Sequence, residues 1–295
     1  MSPLIMRCMA LPLLALLAGC AVAGPPRPLL WKVSDGNNHI YLLGSFHALQ
    51  SADYPVSPKV TAAFEDAERI AFEISPDEMQ SPDLPRKMMA AAALPPGATL
   101  QSSIDAASWA RLQKYAQKRG LPLDAYQGVE PWFMSLVISL KEMAREGYRP
   151  ELGLDQHLIA LAARSGKPAV GLESADDQIA ALDSMTPAEQ EQSLSESLDG
   201  SEDASSRIDL VHAHWRAGDE KALEEMMTTE FKRDYAQLYQ RINVGRNQAW
   251  LPKIRRMLDA EDHDDVLVVV GSLHLLGSDG LVSQLRSRGY RVERL

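Results

Sequence analysis

Two segments near opposite ends of the chain share one pattern, an apolar run followed by Gly-Ser-x-His. Residues 40–43 lead into the first at 44–47, and residues 266–270 lead into the second at 271–274. Each pattern predicts a strand that stops at a glycine and places a histidine just beyond its C-terminal end. Ligands of open α/β sheets bind at that edge. The pattern therefore favours a fold that delivers both histidines to one edge of a sheet.

Two glutamates also fall at the ends of predicted strands. Residues 69–74 alternate into a strand that carries Glu73, and residues 169–172 form a short strand that ends at Glu173. A carboxylate inside the apolar strand around Glu73 is costly unless it is paired or bound. Two histidines with one or two glutamates approach the ligand set of catalytic zinc sites, and Mn²⁺ or Co²⁺ accepts the same ligands. The sequence thus indicates a divalent metal site.

The remaining patterns predict an α/β protein whose central mixed β-sheet is flanked by helices, with largely helical insertions between the strands. Residues 193–206 contain few apolar side chains, so an exposed turn or loop is expected there. The other predicted elements are strands at 29–33, 39–43, 265–270 and 290–295, and helices at 58–68, 109–118, 131–146, 154–164 and 276–288, within mainly helical stretches at 82–165 and 176–258.

The order and spacing of several short blocks resemble the TraB/GumN family from end to end, over about residues 28–295. The one mild departure is Ser45, where threonine is frequent in the family. In chain order the matching positions are 30–33, 41–47, Phe72 with Glu73, 153–155, Ala163 with 166–168, 171–174, and Arg246 with Asn247 ahead of the second Gly-x-x-His.

The family includes the Tiki proteins, which are metal-dependent proteases with two Gly-x-x-His motifs and a glutamate. The resemblance implies an α/β sheet related to erythromycin esterases and to a haem-binding lipoprotein group. Carried over by position, it implies that His47, Glu73 and His274 hold a divalent ion, with Mn, Co and Zn all acceptable. We expect Glu173 or Arg246 to assist catalysis. Asn247 and Asp155 are further candidates.

Each candidate also has a structural interpretation. Glu173 could cap the helix that follows it, Arg246 could pair with an acidic neighbour, and Asp155 stands where a helix start favours an acid. His212 and His214, two positions apart on a helix, point to different faces and are not expected to share a metal. The sequence leaves these alternatives open.

The function expected from these features is that of a metal-dependent hydrolase of the cell envelope, a Tiki-like peptidase acting on a peptide or protein substrate. The alternative is a non-catalytic ligand- or haem-binding envelope lipoprotein. A serine hydrolase is disfavoured because the chain has no Gly-x-Ser-x-Gly sequence. The net charge of −10 and the lack of a basic stripe argue against a nucleic-acid partner.

The N-terminus is typical of an exported protein. Arg7 precedes an apolar run at 8–18 that is short for a membrane span but suits a signal peptide. Residues 17–20, Leu-Ala-Gly-Cys, resemble a lipobox. They predict a signal peptide at 1–19, a lipidated Cys20, a tether at 20–28 and a single domain at 29–295. Residues 21–23, Ala-Val-Ala, offer an ordinary cleavage site as the alternative.

The residues at the predicted cleavage sites indicate where the exported chain is located. Ala21 after the cysteine favours the periplasmic face of the outer membrane, whereas cleavage after Ala23 would give a soluble periplasmic or secreted protein. Cys8 and Cys20 are the only cysteines, so the predicted domain has no disulfide, cysteine-based zinc site or cysteine nucleophile.

Replacing Cys20 tests the lipid anchor. Cys20→Ser should move the protein from the membrane fraction to the soluble fraction, because an acyl chain is what holds a soluble domain at the bilayer. Immunoblots of fractionated cells and the intact mass of the purified chain measure this. An unchanged distribution of the variant would favour cleavage after Ala23.

Overall fold

The computed structural model describes residues 24–260 and 264–295, with only the helical backbone at 201–206. The predicted signal peptide, Cys20 and the first part of the tether lie outside the described residues. The rest of the tether packs on the domain. Pro26 and Pro28 are buried, and the Arg27 N–H donates to the carbonyl of Arg216 over 2.7 Å.

A mixed six-stranded sheet forms the centre of the molecule, in the order β4-β3-β5-β2-β1-β6. Strands β4, β3, β5 and β2 are mutually parallel, while β1 and β6 add to one side as antiparallel strands. The predicted α/β class with a mixed central sheet is confirmed. The strands are β1 Leu30–Ser34, β2 His39–Ser45, β3 Arg69–Ile74, β4 Ala169–Glu173, β5 Val266–Gly271 and β6 Arg291–Arg294.

Helices cover the sheet and fill the long connections. No helix among the described residues is long and apolar enough to cross a membrane. The α-helices are α1 Pro58–Asp66, α2 Pro76–Met79, α3 Leu84–Ala91, α4 Ala106–Arg119, α5 Pro131–Arg145, α6 Leu154–Ser165, α7 Ala175–Asp183, α8 Pro187–Ala217, α9 Glu220–Glu224, α10 Glu230–Asp234, α11 Ala236–Tyr239, α12 Arg246–Leu258 and α13 Leu281–Arg286.

The loop predicted at 193–206 is wrong, because these residues lie inside the long helix α8. A capping box between Thr186 and Glu189 starts that helix. Leu194 and Leu198, one turn apart, are buried in a small apolar cluster with residues of α4 and α5. In this polar stretch the two leucines mark the side of the helix that faces the protein. The low content of apolar residues in this segment therefore reflects a helix with a narrow buried face.

The final predicted helix is shorter than expected. Residues Ser272–Leu275 form a 3-10 turn and α13 begins only at Leu281. The second histidine therefore sits in a tight turn directly after β5.

The Glu142 carboxylate links α4 to α5, two helices of the long connection between β3 and β4. Its side chain is 2% exposed and accepts hydrogen bonds from the Tyr115 hydroxyl (2.9 Å), from Arg119 (2.9 and 3.0 Å) and from Arg145 (2.9 Å). Burial alone would raise the pKa of Glu142, but these donors hold it below its usual range. A buried carboxylate with this set of donors ties α4 to α5.

Glu142→Gln should lower the free energy of unfolding by about 3 kcal/mol at neutral pH, because it leaves Arg119 without its buried counter-charge. Because folding lowers the pKa of Glu142, its stabilising contribution is fully present at pH values above the unfolded-state pKa of about 4.3. That contribution is lost as the pH falls through the lower pKa of the folded state. Urea unfolding at neutral and acidic pH measures both effects. The exposed pair of Glu151 with Arg149 is the control, and Glu151→Gln should cost less than about 0.5 kcal/mol. Equal losses in the two variants would contradict the assignment.

Candidate functional site

The two Gly-Ser-x-His segments lie side by side at the C-terminal ends of β2 and β5. In the parallel register Gly44 is opposite Val270 and Ser45 is opposite Gly271. The Ser272 hydroxyl donates to the Ser45 carbonyl over 3.0 Å. A Cβ at Gly44 would lie 2.8 Å from that hydroxyl oxygen, so the close approach needs a glycine. The repeated pattern thus builds one local structure from two distant parts of the chain.

The structure brings His47, Glu73 and His274 together at this edge. Nε2 of His47 is 3.9 Å from Glu73 Oε1, and Nε2 of His274 is 4.0 Å from the same oxygen. Gly271 supplies the space between them: a Cβ there would lie 3.2 Å from His47 Nε2 and 3.3 Å from Glu73 Oε1. Their role as metal ligands stays a prediction.

The three donor atoms lie farther apart than they would around a bound metal ion. Both imidazole nitrogens are close to Glu73 Oε1, but they do not come within 4.8 Å of each other. Two nitrogens at about 2.1 Å from one ion are at most about 4.2 Å apart. Sharing an ion therefore requires the two imidazoles to move closer together. The His47 side chain, which is 60% exposed, has the freedom to make this movement.

Glu73 is buried and held by donors from three elements. It accepts the Gly271 N–H from β5 (2.7 Å), the Gln178 amide from α7 (3.1 Å) and Arg246 Nη2 from α12 (2.6 Å). Burial disfavours the ionised form, but Arg246 and the two histidines outweigh it and lower the pKa of Glu73 to about 2. The carboxylate is therefore ionised at neutral pH.

Asn247 fixes the proton position on His274. Its amide nitrogen donates to the carbonyls of His274 (3.2 Å) and Asp279 (3.0 Å), so its oxygen accepts from His274 Nδ1 at 2.8 Å. Nε2 then carries no proton and accepts from Arg246 Nη1 at 3.1 Å, so an ion bound at Nε2 would replace that hydrogen bond. Burial, aided by Arg246 and opposed by Glu73, lowers the pKa of His274 to about 3. His274 is thus a neutral imidazole with its lone pair aimed into the site.

Arg246 connects the charged groups of the site. It begins α12 directly after the π-helical segment Gln240–Gly245, a geometry that is frequent at functional sites. Its guanidinium contacts the carboxylates of Glu73 and Glu173, both at 2.6 Å. The guanidinium carbon lies 4.6 Å from the centre of the Trp250 ring. One cation therefore links two acids and, through Nη1, His274.

Glu173 lies behind Arg246. Its oxygens accept from Arg246 Nε (3.0 and 3.2 Å) and from Trp250 Nε1 (3.0 Å), and its side chain is 7% exposed. Burial raises the pKa of Glu173 above its usual range, although Arg246 opposes the shift. With its acceptors occupied in this way, Glu173 is placed to hold Arg246 in position.

Asp155 supports His47 from α6. Its Oδ2 is 3.4 Å from His47 Nδ1, and its Oδ1 accepts from the Ser45 hydroxyl over 3.2 Å. A Cβ at Gly153 would lie 2.4 Å from the His47 carbonyl oxygen, so this approach of α6 needs a glycine. Desolvation by the surrounding protein favours the neutral imidazole, but the negative charges of Asp155 and Glu73 raise the pKa of His47 to about 9. Exposure to water screens part of that attraction.

A cavity of about 300 Å³ opens onto these groups. His47, Glu73 and Asp155 provide its charged lining, while Met79 and Gln178 line it elsewhere. Glu173 is not among its lining residues. Sequence reasoning missed Gln178, since a glutamine on a helix gives no pattern that separates it from ordinary surface.

A second cluster lies at the opposite end of the sheet and was also missed. His39 bridges two acids: Nε2 is 3.1 Å from Asp66 and Nδ1 is 3.0 Å from Asp265. Within the described part of the chain, this is the one group of three ligand-type atoms that lie within 4.8 Å of one another. Its residues come from separate segments whose ends meet only in the fold.

His212 has a structural role. Its Nε2 lies 2.9 Å from the buried carboxylate of Asp53, and its ring stacks on Trp215 at 6.0 Å between centroids. Trp215 in turn donates to the Gly44 carbonyl over 3.0 Å. His214 instead faces the exposed Asp219 at 3.1 Å. The two histidines therefore contact different groups.

The fold and its sheet-edge cluster of His, Glu, Asp and Arg define an α/β protein with a candidate metal centre. The model of the TraB/PrgY/gumN family matches residues 29–294. The chain belongs to that family, which confirms the resemblance inferred from its sequence blocks. The match covers nearly the whole of the described domain.

Two bacterial relatives are similar over most of their length. The uncharacterized protein YbaP of Escherichia coli (strain K12) is 25% identical over 263 residues, which cover 85% of this chain and 89% of YbaP. The uncharacterized protein YbaP of Shigella flexneri matches with the same identity and coverage. No solved structure matches the chain.

Asn247→Ala should cost about 1–3 kcal/mol of stability, because it leaves the His274 carbonyl without its donor and His274 Nδ1 without its acceptor. It should also release the proton position of His274. Nitrogen NMR of the imidazoles should show the Nδ1–H tautomer in the wild type and a mixture in the variant, with urea unfolding to measure stability. Ser197→Ala on α8, outside the site, is the control. An unchanged His274 tautomer in Asn247→Ala would exclude the assigned role of Asn247.

Proposed function

We propose that this protein is a metal-dependent hydrolase of the cell envelope that cleaves peptide or protein substrates. His47, Glu73 and His274 hold one divalent ion, with Mn²⁺, Co²⁺ and Zn²⁺ as candidates. The observation that carries the proposal is the approach of two imidazole nitrogens to one oxygen of a buried, ionised carboxylate beside a cavity. Family membership is consistent with it.

The donor chemistry fits an ion. Glu73 is ionised, and His274 presents a lone pair at Nε2 while Asn247 accepts its Nδ1–H, an arrangement that commonly orients metal-bound histidines. The N–H of Gly271 and the amide of Gln178 orient the Glu73 carboxylate in the same way. His47 must give up a proton when an ion binds, so binding releases protons.

An ion at this position would supply a water of lowered pKa and would polarise a substrate carbonyl. The chain's own residues provide the remaining chemistry. The Asp155 carboxylate lines the cavity, so it is better placed than Glu173 to accept a proton during attack. Arg246 holds Glu73 and keeps a positive charge beside the proposed ligands. Glu173 positions Arg246.

The proposal extends to location. The chain is exported and anchored at the periplasmic face of the outer membrane through a lipidated Cys20, with substrates drawn from the envelope. The apolar run at 8–18 and the Leu-Ala-Gly-Cys sequence support this.

Metal analysis of purified variants tests the ligands. The wild type should bind one equivalent of Mn²⁺, Co²⁺ or Zn²⁺, whereas Glu73→Ala and His274→Ala should bind none, because each loses a donor. His214→Ala, which removes a histidine outside the site, is the matched control and should retain the metal. Inductively coupled plasma spectrometry and calorimetric titration measure the stoichiometry. Equal metal content in His214→Ala and His274→Ala would refute the site.

Activity measurements separate ligand, base and positioning residues. Chelator should abolish hydrolysis of a peptide library and added Mn²⁺, Co²⁺ or Zn²⁺ should restore it. Asp155→Asn should retain the metal with a rate lowered by roughly 10²–10⁴-fold, and Glu173→Gln should retain the metal with a smaller loss. Metal binding without turnover of peptides or esters would favour the non-catalytic binding protein. Full activity in His47→Ala would exclude the mechanism.

A further inference from the structure

A second cavity lies away from the candidate metal site, where the N-terminal segment meets the domain. Its volume is about 630 Å³, a size typical of small-molecule sites. Three basic side chains line it: Arg27 before β1, Lys59 in the first turn of α1 and Arg294 at the end of β6. Three separate parts of the chain thus place a cation at one cavity.

The wall formed by residues 24–28 is fixed to the domain. Arg216 donates to the Gly24 carbonyl over 2.9 Å and accepts the Arg27 N–H at 2.7 Å. Gly218, at a φ of +67°, leaves room for this segment, because a Cβ there would lie 2.4 Å from the Arg27 carbonyl oxygen. The position of Arg27 at the cavity is therefore set by backbone contacts.

The cations of this cavity are poorly neutralised. No acidic side chain is among the lining residues, all of which lie in the described part of the chain. Among the described residues the side chains of Arg27 and Lys59 have no ion-pair partner. Arg294 has one acidic neighbour, Glu220 at 3.9 Å; it also lies over the Trp31 ring at 4.6 Å and donates to backbone carbonyls. In a protein of net charge −10, such a pocket attracts anions.

The location of the pocket indicates the anion. Only residues 21–23 separate Cys20 from Gly24, and four extended residues span at most about 14 Å. If Cys20 carries the anchor, the pocket is held close to the lipid surface, and charges within about a Debye length of that surface act on its headgroups. A free anion would gain nothing from this placement.

We propose that the pocket of Arg27, Lys59 and Arg294 binds the anionic headgroup of a phospholipid and so orients the domain on the membrane. The inference does not depend on the metal site. The proposal requires the protein to bind anionic vesicles in preference to neutral ones, despite its negative net charge. It also requires the residues of the pocket to cause this preference.

Vesicle sedimentation tests the proposal with the chain from residue 20 onward carrying Cys20→Ser, so that neither an acyl chain nor the apolar run at 8–18 contributes. Vesicles of phosphatidylcholine alone are compared with equal parts of phosphatidylcholine and phosphatidylglycerol. Arg27→Gln with Lys59→Gln should weaken binding to the anionic vesicles by about 25-fold, since each basic residue near such a surface contributes a factor of about 5. Binding to phosphatidylcholine alone should not change.

The matched control removes two exposed cations elsewhere, by Arg86→Gln with Lys118→Gln, and should change binding by less than about 2-fold. Circular dichroism and the thermal midpoint confirm that both double variants are folded. Equal binding of the Cys20→Ser chain to both vesicles, or an equal loss in the control, would overturn the proposal. Stabilisation of the chain by glycerol phosphate without a preference for anionic vesicles would also overturn it in favour of a soluble anion.

Discussion

The buried carboxylate of Glu73 is the constraint on which the arrangement of the site depends. Removing an ionised carboxylate from water costs several kcal/mol unless charges and hydrogen bonds compensate. Here the compensation comes from Gly271, Gln178 and Arg246, each on a different element. β3, β5, α7 and α12 must therefore meet in one relative position. The charge that is costly to bury is also what makes the sheet edge suitable for a cation.

Backbone register determines which side chains reach that carboxylate. Because Ser45 pairs with Gly271, the two Gly-Ser-x-His segments end at the same level of the sheet. A slip of one residue between β2 and β5 would turn alternate side chains to the opposite face. It would also remove the small residue that faces His47 and Glu73. The glycines thus act as spacers, and the histidines depend on them.

Much of the sheet and the approach of His47, Glu73 and His274 could be predicted from sequence, because strand ends and glycines are local patterns. The missing parts depend on long-range packing. α8 was misjudged because only Leu194 and Leu198 mark its buried side in the polar stretch. The place of Glu173 behind Arg246 and the donation by Gln178 arise from helix docking. The cationic cavity joins residues from both ends of the chain, which no local pattern relates.

The two outer strands bear on how copies of this protein behave at high concentration. β6 is four residues long and reads Arg-Val-Glu-Arg, and short charged edge strands resist pairing with another sheet. At the other border, Lys253 donates to the Leu172 carbonyl of β4, so that acceptor is already occupied. Sheet extension between molecules is thereby discouraged at both borders. Crowded copies of the protein would therefore stay separate, free to meet other molecules.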